Sequence, residues 1–429
     1  MSTEDKVADV GNRNYIDVLP TEVLCKIFDR LDFEGLKTGS LVCQRWNDII
    51  STSGYAERFV FEIDMYFKHD SQEESMKQML AEVRKMLGKT KRCYQQLKWI
   101  SDFWIDDQEI RLVWNAIHPK ITVNLHSLEL YGANTAMMTV FPEIAEQLPS
   151  MVQLRSLILE FSGYNDYLQN PTILRSNSVN HLKAITNTKF RVEMPKLENF
   201  EGSLSSIYPP NENLSSLTLT DLKNLIVGNF YSDEPNEMSK SAAYSLFQLW
   251  KNIETIKWDC GIEDEIFNLL CNMCTSLREL TIRSIGTGRK NYRSMIHFDL
   301  TKLTNLTKLE MGNTYIDFVK LPKSIRKLKI NLYHRQMIQT LIDSSKSLEE
   351  LQVVFSTSYE VSLLETLSVL QRLEVLVLYG GHFEESSFLH MNAPLERVRQ
   401  LRFVRCKLST KSFLGIQEKF PNLKEPQFC

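Results

Sequence analysis

The clearest pattern in the chain is a short run of apolar positions with the spacing L-x-x-L-x-L, which returns many times. The last two apolar residues of each run are two apart, so they point to the same side of a β-strand. A strand this short can bury its apolar side only against neighbouring copies. The clear copies are Leu125–Leu130, Leu154–Leu159, Leu214–Leu219, Ile253–Trp258, Leu277–Ile282, Leu306–Met311, Ile325–Ile330, Leu348–Val353, Leu373–Leu378 and Val398–Phe403.

Helical stretches separate several of these strands. Apolar residues three and four apart predict helices at Asp264–Ser276, Arg335–Ser347, Val361–Arg372 and Lys411–Phe420. Weaker copies of the strand pattern lie at Tyr94–Trp99, near Leu182 and at Leu197–Phe200. Strand followed by helix, with a period near the roughly 20–29 residues of leucine-rich repeats, predicts an α/β leucine-rich-repeat solenoid. In that horseshoe, parallel strands line the concave side and helices the convex side.

The segment from Ile16 to Ser53 does not follow this pattern and predicts three short helices. Leu19-Pro20 suits the start of the first helix, because a proline lacks only an N–H that would be unpaired there. The apolar positions are Val23, Leu24, Ile27, Phe28 and Leu31 in the first helix, and Leu41, Val42, Trp46, Ile49 and Ile50 in the third. Such a small module buries little surface. We therefore expect some of these side chains to complete the surface of a partner protein.

The order of these residues closely resembles the F-box. Leu-Pro-x-Glu-x-Leu-x-x-Ile-Phe-x-x-Leu runs from Leu19 to Leu31, and Leu-Val-Cys-x-x-Trp runs from Leu41 to Trp46. In that family the F-box binds the Skp adaptor of a cullin-RING ubiquitin ligase, the SCF complex, and repeats that follow recruit the substrate. The resemblance implies a non-catalytic substrate-recognition subunit, with the Skp adaptor and through it the cullin and RING subunits as partners. It places adaptor contacts at Leu19, Pro20, Glu22, Ile27, Phe28, Leu31, Leu36, Val42, Cys43 and Trp46.

The expected organisation has four parts. Residues 1–14 are disordered, 15–60 form the F-box, 61–92 form a linker with a capping helix at Glu73–Leu87, and 93–429 form the solenoid. An unknown protein substrate is expected on the concave face of the repeats. That face becomes more apolar toward the last repeats, so we expect the strongest target contacts there. The candidate substrate residues are Arg283, Val354, Val377, Tyr379, Arg402 and Val404.

Two rival functions remain open at this stage. The chain could bind the adaptor and serve as an interaction scaffold without turnover, or the solenoid could belong to an enzyme or a nucleic-acid factor. No Ser–His–Asp or Cys–His arrangement follows from the order of residues. A net charge of −3 argues against a chain that coats nucleic acid.

The apolar runs and the cysteines bear on where the protein acts and on whether it holds a cofactor. No apolar run is long enough for a membrane span, and the start lacks the apolar core of a signal peptide. The eight cysteines are scattered rather than clustered, which favours a reducing compartment, cytoplasmic or nuclear. Cys271 and Cys274 have metal-ligand spacing, but they lie inside a predicted helix without a second pair, so we expect no metal and no cofactor. Gly286–Arg293 is a basic loop, either simply solvated or anion-binding, for instance for a phosphorylated target.

Overall fold

A computed structural model gives the fold. It describes residues 15–52, 54–65, 72–89, 94–101, 106–132, 135–161, 172–186, 188, 190–204, 219–228, 240–285, 297–312, 318–332, 338, 345–355 and 360–429.

Parallel strands dominate this structure. The strands are β1 (Val60–Met65), β2 (Gln96–Ser101), β3 (Ser127–Gly132), β4 (Ser156–Phe161), β5 (Thr172–Arg175), β6 (His181–Thr186), β7 (Phe190–Glu193), β8 (Asn199–Gly202), β9 (Asn224–Val227), β10 (Thr255–Ile262), β11 (Glu279–Ile285), β12 (His297–Asp299), β13 (Lys308–Met311), β14 (Phe318–Lys320), β15 (Lys327–Leu332), β16 (Glu350–Phe355), β17 (Val375–Tyr379), β18 (His382–Phe383), β19 (Gln400–Val404), β20 (Lys407–Leu408) and β21 (Gln427–Phe428). Within the described residues, fifteen of them form one sheet in the order β1-β2-β3-β4-β6-β8-β9-β10-β11-β13-β15-β16-β17-β19-β21.

The helices divide into an N-terminal group and a group that accompanies the sheet. The helices are α1 (Thr21–Phe28), α2 (Phe33–Gly39), α3 (Gln44–Thr52), α4 (Gln72–Lys89), α5 (Asp107–Ile121), α6 (Thr135–Glu146), α7 (Lys240–Leu249), α8 (Asp264–Met273), α9 (Glu360–Leu367) and α10 (Ile416–Lys419). The predicted combination of a parallel-sheet repeat solenoid with a small helical N-terminal module is confirmed.

The repeat spacing works as the pattern predicts. In β16 the side chains of Leu351, Val353 and Phe355 are buried, and those of Glu350 and Gln352 alternate with them on the other side. The buried sides of the strands join a single hydrophobic core that runs from Phe61 to Leu423. We call the opposite side of the sheet, which corresponds to the predicted concave side, the open face.

The second layer differs from the prediction of one helix per repeat. Among the described residues, three pairs of short parallel strands, β5–β7, β12–β14 and β18–β20, accompany the helices. The helix predicted at Lys411–Phe420 is reduced to α10, because Gly415 before it adopts the left-handed backbone conformation with φ of 72°. Most of the helix predicted at Arg335–Ser347 lies outside the described residues, as does most of the strand predicted at Leu214–Leu219. The sheet strand in that part is β9, where Leu222, Leu225 and Val227 repeat the same spacing.

The sheet begins earlier than the boundary expected at residue 93. β1 pairs with β2 over its whole length, and Phe61, Ile63 and Met65 point into the solenoid core. The helix expected at Glu73–Leu87 is present as α4 and packs against α5. Residues 61–92 therefore include the first repeat of the solenoid. The leading leucine of the motif is absent there, which is why the repeat pattern did not reveal it.

A separate hydrophobic cluster holds the N-terminal helices together. Leu24, Phe28, Leu36 and Ile50 are fully buried in it. Tyr94 packs against this cluster and also against the solenoid core, where its ring lies 5.0 Å from that of Phe61. The two hydrophobic cores thus meet at one side chain, which fixes the N-terminal module against the start of the sheet.

Candidate functional site

An exposed apolar stripe runs along α1. Pro20, Val23 and Ile27 are three and four residues apart, so they lie on one side of the helix. Val23 and Ile27 are each 39% exposed, whereas Leu24 and Phe28, which follow each of them by one residue, are fully buried. Helix α1 therefore has two apolar sides, one in the module core and one in solvent.

A second exposed apolar pair lies in the turn between α2 and α3. Leu41 is 80% exposed and Val42 is 59% exposed. Nη2 of Arg45, at the start of α3, donates a 2.6 Å hydrogen bond to the carbonyl oxygen of Leu19 just before α1. This bond ties the start of α3, and with it the turn before, to the start of α1. We call Val18, Pro20, Val23, Ile27, Leu41 and Val42 together the apolar face.

Aromatic packing inside the module supports this face from behind. The Phe28 ring meets those of Trp46 and Tyr55 edge-on, with centroids 5.1 and 5.9 Å away. The Tyr55 hydroxyl donates to the carbonyl oxygen of Cys25 at 2.6 Å and lies 2.7 Å from Oδ1 of Asp29. Burial and the hydrogen bond with Asp29 raise the pKa of Tyr55 above its ordinary value. The hydroxyl therefore stays protonated and anchors α1 from the carboxyl-terminal side.

The ten residues predicted to contact an adaptor divide into three groups. Pro20, Glu22, Ile27 and Val42 are exposed. Leu19, Leu31, Cys43 and Trp46 are half-buried, and the indole N–H of Trp46 has no acceptor among the described residues.

Phe28 and Leu36 require a correction. Both side chains are fully buried in the module, so they leave no surface for a partner and belong to its core. The prediction did not include Val18, Val23 and Leu41, which are 70%, 39% and 80% exposed. Their signal was present in the sequence, since Val23 shares the helical spacing of Pro20 and Ile27.

Across most of the open face, charged side chains are paired with one another. Lysines in neighbouring strands face glutamates in register, as for Lys98 with Glu62 at 2.7 Å and Lys308 with Glu279 at 2.9 Å. The other pairs between neighbouring strands are Lys183–Glu201, Lys327–Glu350 and Lys329–Glu310. Lys257 instead pairs with Asp259 on its own strand, β10. A depression of about 510 Å³ across β11, β13, β15 and β16 has four cationic and four anionic side chains in its lining. The positive and negative side chains in this part of the open face therefore balance one another.

The last strands of the open face have a different character. Val354, Tyr379 and Val404 stand in one register row across β16, β17 and β19. Val377 and Arg402 are paired in the row beside it, and Val377 is only 4% exposed. Five of the six predicted substrate residues are thus gathered on three neighbouring strands.

The sixth predicted substrate residue, Arg283, lies elsewhere. It is exposed on β11, and β13 and β15 separate that strand from β16. Arg283 therefore lies on the open face, as expected for a concave-face residue, but apart from the other five candidates. The basic loop Gly286–Arg293 that follows it lies outside the described residues.

The two cysteines with metal-ligand spacing face the solenoid core. Cys271 is 3% exposed and Cys274 is fully buried. Burial raises the pKa of both thiols, that of Cys274 to about 12. Among the described residues no group of three or more metal-ligating side chains comes together. The pair therefore packs the core as thiols.

No helix in the described part of the chain has the length and apolar character that a membrane crossing needs.

A family model and a human relative both match the N-terminal module of this structure. The F-box-like family model matches residues 16–59. Over 49 residues the chain is 39% identical to human F-box only protein 48, a match that covers 11% of this chain and 32% of that protein. The chain thus covers about a third of the length of this relative.

Two solved structures align with most of the chain at low identity. A leucine-rich-repeat protein of Leptospira interrogans aligns with a TM-score of 0.34 and 13% identity, covering 81% of this chain and 98% of that one. TLR13 in its complex with ssRNA13 aligns with a TM-score of 0.42 and 15% identity, covering 86% and 54%. The repeat motif and the fifteen-stranded parallel sheet within the chain itself carry the solenoid assignment. The chain therefore carries an F-box-like domain at residues 16–59, and a leucine-rich-repeat solenoid follows it.

Proposed function

We propose that the protein is the substrate-recognition subunit of an SCF-type ubiquitin ligase. One observation supports this most strongly: the F-box-like domain keeps large apolar side chains in solvent while its own core is complete. Leu41 and Val42 are the most prominent of them. Several large exposed apolar side chains on one small domain are typical of a protein interface. Within this proposal the Skp adaptor covers the apolar face and connects the chain to the cullin and RING subunits.

The proposed mechanism is positioning rather than chemistry. A target held on the open face is kept close to the ubiquitin-loaded enzyme, which raises its effective concentration there. Tyr94, packed against both hydrophobic cores, supports this mechanism because it restrains the F-box-like domain against the first strands. The continuous core behind the sheet then carries that orientation along the repeats. We place the assembly in the cytoplasm or the nucleus, where such ligases act.

A second candidate function is an adaptor-bound scaffold without turnover of its target. The charge pairs over most of the open face agree with it as well as with a receptor, because both need a specific binding surface. The two functions differ in whether a cullin joins the complex.

Reconstitution separates these two functions. The full chain is mixed with purified Skp adaptor, cullin and RING subunits and passed over a size-exclusion column. We expect all four proteins to co-elute, and we expect the complex, supplied with ubiquitin and its activating and conjugating enzymes, to form ubiquitin chains on the receptor or the cullin. A complex that contains the adaptor and excludes the cullin would establish the scaffold instead. Failure to bind the adaptor would contradict both.

A further inference from the structure

The cation at Arg402 differs from the lysines along the open face. Each of the six lysines named above has an acidic partner, whereas Arg402 has no ion pair among the described residues. Its neighbours in register are Val377 on β17 and Gln427 on β21, and neither carries a charge. The positive charge of Arg402 is therefore not balanced by an acidic side chain on either neighbouring strand.

The guanidinium of Arg402 also has unused hydrogen-bond donors. Nη2 donates to Oε1 of Gln400 at 3.0 Å, while Nε is buried without an acceptor among the described residues. A guanidinium has five N–H donors, and a carboxylate can accept two of them in parallel. Apolar neighbours such as Val377 and Val404 lower the local dielectric, which strengthens an ion pair formed there.

The surroundings of Arg402 are apolar and held in place. Val354, Tyr379 and Val404 form the adjacent row. The Tyr379 hydroxyl lies 3.5 Å from Oε1 of Gln352, a long hydrogen bond. Behind the sheet, Phe403 packs against Phe383, Phe413 and Phe428 with ring centroids 5.3–5.4 Å away, so the backbone that carries Arg402 and Val404 is well supported.

A second arginine at the rim has a strained backbone. Arg405 is exposed and follows β19 with φ of 52°, the one positive φ of a non-glycine residue in the described chain. The equivalent position after β17 is Gly380, with φ of 71°. Glycine adopts this conformation without strain, whereas arginine does not. Strain of this kind at an arginine suggests a use for its side chain.

We propose that this surface binds an acidic–apolar segment of the target. We define the Arg402 site as Arg402, Arg405, Val354, Val377, Tyr379 and Val404. The segment is extended and carries a carboxylate side chain with a bulky apolar side chain two residues away. The spacing follows from the site, because Arg402 and Val404 are two residues apart on a strand, about 7 Å, as are alternate side chains of an extended peptide. This inference rests on the proposed function insofar as the bound segment belongs to a ligase target.

Peptide selection tests the proposal. The full chain is immobilised, and a phage library of random, unphosphorylated 12-residue peptides is selected on it. We expect enriched peptides to carry Asp or Glu with a large apolar residue two positions away. Arg402→Gln is expected to weaken binding of the synthetic enriched peptides about tenfold or more, as the loss of a charge-assisted hydrogen bond implies.

Matched variants separate recognition from folding. Lys308→Gln removes an open-face cation that already has an acidic partner, and peptide affinity should stay within about twofold. Arg405→Gly should weaken binding while the thermal midpoint stays equal or rises, because the backbone strain is relieved. Selection of peptides without acidic residues, equal binding by Arg402→Gln, or no peptide above the background of an unrelated protein overturns the proposal.

Adaptor binding, measured on the same preparation, keeps this inference distinct from the proposed function. If the chain binds the adaptor but selects no acidic–apolar peptides, the proposed ligase role is kept and the Arg402 site is rejected. If the chain selects such peptides but does not bind the adaptor, the Arg402 site is kept and the ligase role is rejected.

Discussion

The double substitution Leu41→Glu and Val42→Glu is expected to abolish binding to the Skp adaptor while leaving the protein folded. Both side chains are mostly exposed, so their replacement costs the free protein little. In the complex, each large apolar side chain would contribute about 1.5–3 kcal/mol through burial, and the added carboxylates would be desolvated without partners. We therefore expect at least about a 100-fold loss of affinity, measured by titration calorimetry with purified adaptor.

The control is a pair of exposed valines on the solenoid. Val123 and Val152 are 60% and 68% exposed, and neither lies in the F-box-like domain. The double variant Val123→Glu and Val152→Glu should bind the adaptor as the unmodified protein does. Equal affinity of the Leu41/Val42 variant and this control would show that the apolar face is not the docking surface.

Phe28→Ala is expected to remove adaptor binding by a different route, through unfolding of the F-box-like domain. The Phe28 side chain is fully buried and packs edge-on against two aromatic rings. Truncation of such a phenylalanine costs about 3–5 kcal/mol. A module of this size has a small free energy of unfolding, so we expect it to unfold. The solenoid has its own hydrophobic core and should stay folded. Limited proteolysis followed by mass spectrometry should show cleavage confined to residues 15–59.

Phe33→Ala serves as the matched control for Phe28→Ala. Phe33 is 42% exposed and packs against Phe59, with their ring centroids 5.5 Å apart. Its loss should cost much less, and the domain should keep its resistance to protease. If the domain of Phe28→Ala proved as resistant as that of Phe33→Ala, the interior position of Phe28 would be wrong.

The strands were largely predictable from the sequence, because the repeat spacing reports directly which side chains enter the core. The copies at Leu348–Val353 and Leu373–Leu378 correspond to β16 and β17. β16 alternates as expected, whereas in β17 Val377 is buried as well as Leu376 and Leu378. The second layer was less predictable, since pairs such as β18–β20 are only two residues long and carry no period. β1 was missed because it has the alternation of a strand without the leading leucine.

The sequence showed that the apolar face contains apolar residues, but it did not show which of the apolar residues in this module are exposed. Helix α1 carries apolar residues on two adjoining sides, both with three- and four-residue spacing. Periodicity alone therefore does not separate Val23 from Leu24, or Ile27 from Phe28. The family motif likewise combines core and surface positions. Only the packing of Phe28 against Trp46 and Tyr55 shows which side is closed.

The pairing of charges on the open face also needed the register between strands. Sequence alone showed that Arg402 lies two residues before Val404, as Lys327 lies two residues before Lys329. It did not show that Lys329 faces Glu310 across the sheet while Arg402 faces Val377. Strands distant in sequence acquire their partners through the lengths of the intervening segments, which vary along this chain.

The most direct test of the account is calorimetric titration of the intact chain with purified Skp adaptor at several temperatures. We predict a one-to-one complex with a negative heat-capacity change, because association buries the apolar face. If no binding is detected with about 50 μM of each protein, the binding free energy is weaker than about −6 kcal/mol. That result would contradict the central claim.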